Sequence, residues 1–371
     1  MTSINVLGVP CAYELTDPVP QSPTLVFVHG WLLSREYWQP LVQRLSPTYQ
    51  CLSYDLRGFG QSQLYPRSDI ASDIFTKSSN HLATKQSEHG VPNDAQALQM
   101  TTADVNAVIN RLGTQDYSDP SPLTQQWRLS DRHQGDRLSD QSFHASYTPA
   151  AYAKDLAVLL QLLNLANVWL IGHSLGGIIA LWAANQLPDV VQGVICLNSG
   201  GGIYFQKDFE KFRAAGQQIL KLRPRWLCHV PLIDLMFARS TVVQPIDRTW
   251  RRQRLVDFVM AHPEAALGAL LDSTTEAEVN RLPLLVSALK QPVYFLAGAQ
   301  DPVMQPSYVQ HLASFHPLFG TCGDNVIEIE DCGHMAMIEQ PDRVTTEITS
   351  ILAKHTQREA LALSISHRSM T

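Results

Sequence analysis

The sequence predicts an α/β fold, with a mostly parallel sheet, helices on both faces and a helical cap. Short apolar runs alternate along the chain with longer runs of helical period, the pattern of parallel strands joined by helices. Glycines and small polar residues cluster where the apolar runs end, as turns require. One long stretch, Gly201 to about Leu289, departs from the alternation by being helical in pattern throughout.

Thr24 to His29 (TLVFVH) reads as a fully buried strand, and Arg35 to Leu45 as a helix with Tyr37, Trp38, Leu41, Val42 and Leu45 on one face. Gln50 to Asp55 is the next strand, running into the turn-rich DLRGFGQS. Tyr152 to Leu165 is an apolar helix, Val168 to Ile171 a strand, Leu175 to Gln186 a helix and Val191 to Leu197 a strand that stops at Asn198, Ser199 and three glycines. Pro292 to Ala297 and Val326 to Ile329 are the last strands, and a helix from about Pro341 to Lys354 closes the domain. At least six parallel-type strands are expected.

Two segments interrupt this order. Residues 63–146 are rich in Ser, Asp, Gln and Thr with few aliphatic runs, so they are expected to be a partly disordered insertion between core segments 1–62 and 147–200. Residues 201–289 form the expected cap, 290–355 the rest of the core, and 356–371 a loosely packed tail.

With 371 residues, 45% hydrophobic, the chain can bury a large core, and its formal charge of -6 offers no general attraction for nucleic acid or anionic membranes. The six cysteines show no C-x-x-C pair and no zinc spacing, so no zinc site is expected and a reduced, cytoplasmic setting fits best. No secretory signal is evident at the N-terminus, and the longest apolar stretch, Val168 to Ala184, is broken by glycines.

The sharpest chemical signal is Gly172-His173-Ser174-Leu175-Gly176, set between the strand VWLI and the helix starting LGGIIALW. Small residues flank a serine in this way when a strand turns sharply into a helix and presents Oγ above the sheet edge. A serine hydroxyl is a poor nucleophile at neutral pH; it needs a positioned base, and the base needs an orienting acid. Asp301, after the strand PVYFLAG, and His334, after VIEIE, stand in the required order, each just beyond a strand end, where a parallel sheet gathers its loops on one rim.

The carbonyl oxygen of a substrate would gain charge during attack, so two backbone N–H groups are required to receive it. Leu175 N–H, beside the serine, is one. Trp31 N–H, in the loop after TLVFVHG, is the other, with Gly30 allowing close backbone approach and His29 ordering the loop. The Trp31 side chain either lines an acyl pocket or packs under the cap.

With HGW at 29–31, DLRGFGQS at 55–62, GHSLGG at 172–177, GAQDPV at 298–303 and DCGHM at 331–335, the chain resembles the α/β-hydrolase superfamily over about residues 20–62 and 147–355. The HGW and GHSLGG forms resemble its esterase, thioesterase and pimeloyl-ester carboxylesterase branches. The resemblance implies cofactor-free, two-step acyl transfer from an ester or thioester through an acyl-enzyme on Ser174. The same framework serves relatives with an aspartate nucleophile, against which Ser174 argues. It also serves carbon–carbon bond hydrolases and a lyase branch that keep all three residues, and non-catalytic binding proteins.

Between Lys207 and Arg254 the cap carries eleven Lys and Arg against four Asp and Glu, interleaved with apolar residues. The stretch Pro224 to Phe237 is therefore expected to line an acyl pocket with its apolar face, Leu232 and Leu235 included. Its basic face is expected to meet water, an anionic acyl substrate or, weakly, a membrane surface.

Overall fold

The computed structural model describes residues 2–63, 146–200, 206–221, 223–320 and 325–368. The predicted insertion at 63–146 thus lies almost wholly outside the described residues. Residues up to 63 and from 147 onward form one unit built on an eight-stranded sheet.

The strands are β1 (Thr2–Val6), β2 (Val9–Leu15), β3 (Thr24–Val28), β4 (Gln50–Tyr54), β5 (Val168–His173), β6 (Val191–Leu197), β7 (Val293–Gly298) and β8 (Val326–Ile329). Their order across the sheet is β1-β2-β4-β3-β5-β6-β7-β8. From β4 to β8 every pairing is parallel, which gives the six parallel strands expected, while β1 and β2 add an antiparallel hairpin at one edge. The central strands are buried on both faces, and β3, β5 and β7 are buried at every position. That is why they read as continuous apolar runs.

The helices are α1 (Gln39–Leu45), α2 (Pro149–Leu162), α3 (Leu175–Gln186), α4 (Gln206–Lys221), α5 (Ile233–Arg239), α6 (Arg248–Met260), α7 (Pro263–Ser273), α8 (Glu276–Ala288), α9 (Pro306–Ala313), α10 (Ala336–Glu339) and α11 (Pro341–Arg368). Leu25 and Phe27 of β3, Ile171 of β5 and Ile195 of β6 share one core with Tyr37, Trp38 and Leu41 before and within α1 and Val344, Ile348 and Ile351 of α11. On the other helical layer α2 packs against α3.

Three boundaries differ from the expected ones. Arg35–Trp38 is a 3-10 turn and the α-helix begins only at Gln39, with Pro40 in its first turn. The helix predicted over Tyr152–Leu165 starts at Pro149, because the Thr148 hydroxyl accepts from Ala151 N–H, and it stops by Asn164, whose φ is +53°. The last helix continues to Arg368, well past Lys354. No helix of the described residues is long and apolar enough to cross a membrane. The five cysteines described are buried and free.

Among the described residues 206–289 hold only helices, as the pattern predicts, but they face differently from expectation. Leu232 and Met236 are 70% and 71% exposed, and of the stretch Pro224–Phe237 only Phe237 reaches the cavity described below. A helical period shows that one face is apolar; it does not show which neighbour that face meets.

Candidate active site

Ser174 occupies the turn between β5 and α3 with φ +52° and ψ −120°, a conformation that costs a non-glycine residue about 1–3 kcal/mol. The neighbouring backbone sustains it. Ser174 N–H donates to Leu197 O at 3.1 Å, Gly177 N–H donates to Ser174 O at 3.0 Å, and the Ser199 hydroxyl donates to the same carbonyl at 2.5 Å. The flanking glycines follow from sterics: a Cβ at Gly176 would strike the Val28 carbonyl oxygen, and one at Gly172 the Gly176 carbonyl oxygen.

Asp301 and His334 are 3% and 7% exposed and meet at 2.8 Å, His334 Nδ1–H donating to Asp301 Oδ2. Asp301 Oδ1 accepts from the N–H groups of Val303 and Met304 at 2.8 and 2.9 Å. Burial pushes this carboxyl upward, but His334 and the hydrogen bonds outweigh burial and hold it below the usual carboxylate range. With Nδ1–H directed at the acid, Nε2 is the ring nitrogen left to accept a proton. Ser174 and His334 line the same cavity, and among the described contacts Ser174 Oγ makes no hydrogen bond to the ring.

The loop after β3 is held on several sides. His29, fully buried, donates from Nδ1 to Gly30 O at 2.8 Å and accepts Leu56 N–H on Nε2 at 2.9 Å, which fixes its tautomer; burial lowers its pKa. It therefore ties the β3 loop to the β4 loop. Asp55 at the end of β4 does the same, accepting Arg35 N–H at 2.7 Å, Gln61 N–H at 2.8 Å and the Arg35 guanidinium. A Cβ on Gly30 would stand 2.8 Å from His173 Nδ1, so close approach is required there. The Trp31 indole donates to Ala266 O of α7 at 2.8 Å and the residue also borders the cavity, which joins the two alternatives for this side chain. Among the described residues neither Trp31 N–H nor Leu175 N–H has a hydrogen-bond partner.

Three contributors were missed by sequence reasoning. Asn198, at φ +47° and fully buried, donates from Nδ2 to Asp301 Oδ2 at 2.9 Å and to Gly333 O at 3.0 Å, bracing acid and histidine loop together. His173 donates from Nε2 to His334 O at 2.7 Å; burial, then the nearby His334, keeps its pKa well below the ordinary value. Glu339 accepts the N–H groups of Val243 at 2.7 Å, Gln244 and Gly333 at 3.1 Å, and Met335 at 2.9 Å, while His334 N–H donates to Thr241 O at 2.8 Å. The histidine loop is thereby bound to the segment between α5 and α6. A glutamate five residues after the histidine carries no recognised signature, so only the folded chain brings these groups together.

Glu339→Gln turns one of those acceptor oxygens into a donor facing backbone N–H groups. Stability should fall by about 1–3 kcal/mol, and kcat should drop more than KM changes if His334 is displaced. Urea unfolding and steady-state kinetics read both, and an unchanged midpoint with wild-type kcat would show that this brace is dispensable.

The cavity above Ser174 has a volume of about 300 Å³ and is bordered by Trp31, Ile178, Phe212, Leu270 and Leu282 among other apolar groups. Among the described residues no cluster of His, Cys, Asp or Glu has the geometry of a metal site.

The model of the alpha/beta hydrolase family matches residues 25–347. The chain belongs to that family, and the fold agrees. An uncharacterised protein of Mycobacterium tuberculosis is similar, 42% identical over 212 residues, which cover 54% of this chain and 60% of that protein. The match thus spans well under two thirds of that relative's length. A 2-succinyl-6-hydroxy-2,4-cyclohexadiene-1-carboxylate synthase of Escherichia coli is 28% identical over 190 residues, 51% of this chain and 69% of the enzyme. Among solved structures, an esterase from Exiguobacterium antarcticum superposes with TM-score 0.62 at 15% identity, covering 95% of this chain and 99% of that one. A thermophilic esterase from Thermogutta terrifontis gives 0.57 at 20% identity, covering 95% and 97%. At these identities the structures support the fold alone.

Proposed function

We propose that the protein is a serine hydrolase of carboxylic esters or thioesters, working through an acyl-enzyme on Ser174. The observation that carries this reading is His334, hydrogen-bonded to Asp301 and facing the same apolar cavity as a serine held at positive φ in a strand-to-helix turn. Ser174 Oγ attacks the carbonyl carbon as His334 Nε2 takes its proton, and the resulting oxyanion lies against the N–H groups of Trp31 and Leu175. Collapse expels the alcohol or thiol, which takes the proton from His334. Water then repeats the cycle: His334 removes its proton, the oxygen attacks the acyl carbon, and the acid leaves as Ser174 regains a proton.

Labelling by a fluorophosphonate tests whether Ser174 is activated, and a series of p-nitrophenyl esters from acetate upward tests the bond cleaved. The apolar cavity predicts that kcat/KM rises with acyl length, roughly fourfold per methylene until the cavity is filled, since each buried methylene contributes about 0.8 kcal/mol. A profile that is flat or falls from acetate would remove the acyl-pocket assignment.

A second reading is a lyase or carbon–carbon bond hydrolase on the same three residues, favoured by the similarity to the Escherichia coli synthase. Labelling without turnover of any ester or thioester would select it. Weak membrane contact through the cap is a further proposal, supported by the exposed Trp226, Leu232 and Met236 beside the exposed Arg239 and Arg248. Cosedimentation with phosphatidylglycerol vesicles should fade with added salt and weaken in a Trp226→Ser, Met236→Ser variant; equal binding by that variant would sink the idea.

A further inference from the structure

Two side chains of the loop after β3 leave the core and end on the cap. The Trp31 indole N–H donates to Ala266 O of α7 at 2.8 Å, and the Ser34 hydroxyl donates to Asp257 Oδ2 of α6 at 2.8 Å. Between them Leu33 N–H closes on Gly30 O at 3.3 Å, so Trp31 and Leu32 are the central residues of a turn whose exit is Ser34. Leu32 stands there at φ +56°, a left-handed conformation that a leucine keeps only where its surroundings impose it. The cap is itself fixed to the core at this rim, since His262 N–H at the start of α7 donates to Gly58 O at 2.8 Å.

Ser34 is turned away from the task its position offers. It occupies the N-cap of the 3-10 turn Arg35–Trp38, where a serine hydroxyl ordinarily accepts a backbone N–H of the first turn, yet it makes no such bond. Asp55 accepts Arg35 N–H instead. The Ser34 hydroxyl is given to Asp257, and the contact is dry, the two residues being 2% and 3% exposed. Asp257 Oδ1 accepts from Gln253 Nε2 at 3.0 Å. Around the carboxyl stand Tyr37 and Glu36 of the 3-10 turn, Asp55 at the end of β4 and Arg254 on α6. Burial pushes it up to about 7, with Asp55 and Glu36 adding to the rise, while the hydrogen bonds from Ser34 and Gln253 pull it down. A carboxyl kept in such a place costs more than an apolar residue of its size, and its hydrogen bond outside α6 goes to the residue that ends the turn.

We infer that Asp257 is a positioning residue for the oxyanion donor: by holding the Ser34 hydroxyl it fixes the exit of the turn and with it the direction of Trp31 N–H. Two cap helices, α6 and α7, thereby complete a pocket whose other donor, Leu175 N–H, belongs to the core. A hydrogen bond from a hydroxyl to a carboxylate is strong in a dry place and holds direction as apolar packing does not. The donors of such a pocket act on charge that develops in the transition state, so a turn released from its hold loses turnover before it loses substrate. The role assigned to Asp257 rests on the acyl transfer proposed for Ser174.

Asp257→Leu removes the acceptor of this bond and Ser34→Ala the donor. Each should lower kcat for p-nitrophenyl butyrate by about 10- to 100-fold, part of the worth of one oxyanion donor, with KM within about threefold of wild type. The double variant should lose no more than either single one. Binding of an alkyl trifluoromethyl ketone, whose adduct on Ser174 carries the oxyanion, should weaken by the same factor. Asp257→Asn keeps an acceptor for Ser34, and the Gln253 amide can turn its oxygen to the new NH₂, so kcat should return to within about fivefold of wild type. Wild-type kcat and ketone affinity in both Asp257→Leu and Ser34→Ala, even with lowered melting temperatures, would reduce the contact to a structural one and overturn the role. A KM that rises in step with the lost kcat would overturn it too. Should Asp257→Leu fail to fold, Ser34→Ala, made from the core side, decides by itself. If the wild type is labelled by fluorophosphonate but cleaves no ester, the hydrolase reading fails, and the rate of labelling, in which the P=O oxygen enters the same pocket, takes the place of kcat. A wild type that is not labelled removes both.

Discussion

Ser174→Ala should reduce ester turnover about a millionfold and abolish fluorophosphonate labelling while the protein keeps its fold. The loss is this large because the hydroxyl would be the group that forms the covalent bond, and neither His334 nor the oxyanion donors can replace it. The fold survives for a separate reason. All three hydrogen bonds that hold the turn involve the Ser174 main chain: N–H to Leu197 O, and the carbonyl accepting from Gly177 N–H and the Ser199 hydroxyl. Alanine meets the same backbone strain as serine at φ +52° and needs no more room. Thermal melting should therefore coincide with wild type to within a few degrees. Retention of more than a few percent of turnover would assign the nucleophile elsewhere.

The parts of this molecule that are legible in sequence are those whose physics is local. A strand buried on both faces must be apolar throughout, so β3, β5, β6 and β7 announce themselves. A strand turning sharply into a helix must have small neighbours, so G-H-S-L-G does too. The edge hairpin β1–β2 was not anticipated, because β1 is largely exposed and β2 is buried only at Cys11 and Ala12, so neither reads as a continuous apolar run, and the turn places Leu7 at φ +50°, a position for which leucine is no signal. The supports of the site were illegible for a different reason. Asn198 and Asp301 are separated by 103 residues, and Ser34, after β3, and Asp257 of α6 by 223, so each pairing exists only in the folded chain. In sequence Asn198 marks only where a strand stops; its two donated hydrogen bonds show that it supports the acid on the next strand. In the cap, the basic and apolar interleaving was visible, but nothing in the sequence marks Arg254, buried in the cavity wall, apart from the exposed Arg239 and Arg248.

The acid offers the sharper test of how the charge relay is built. Asp301 is surrounded by donors alone: His334 Nδ1–H and Asn198 Nδ2–H on Oδ2, and the N–H groups of Val303 and Met304 on Oδ1. Asp301→Asn keeps the shape but supplies one acceptor oxygen and one NH₂. If the oxygen stays with the two backbone N–H groups, the NH₂ faces His334 and forces its proton onto Nε2. That tautomer cannot take the proton from Ser174. If the amide flips, the NH₂ opposes two backbone donors and the loop 302–304 must shift. Either way kcat should fall by about ten-thousandfold, with KM little altered, because the cavity proposed to take the acyl chain is untouched. The variant should also be less stable. Since Asp301 is held below its ordinary carboxylate pKa when folded, its stabilising contribution is present above the unfolded pKa and is lost as pH falls through the folded one. Wild type should therefore lose stability relative to Asp301→Asn on acidification across that interval, and the two unfolding curves should converge. Parallel curves across the interval, or a kcat within tenfold of wild type, would mean that Asp301 does not hold His334 in its working tautomer.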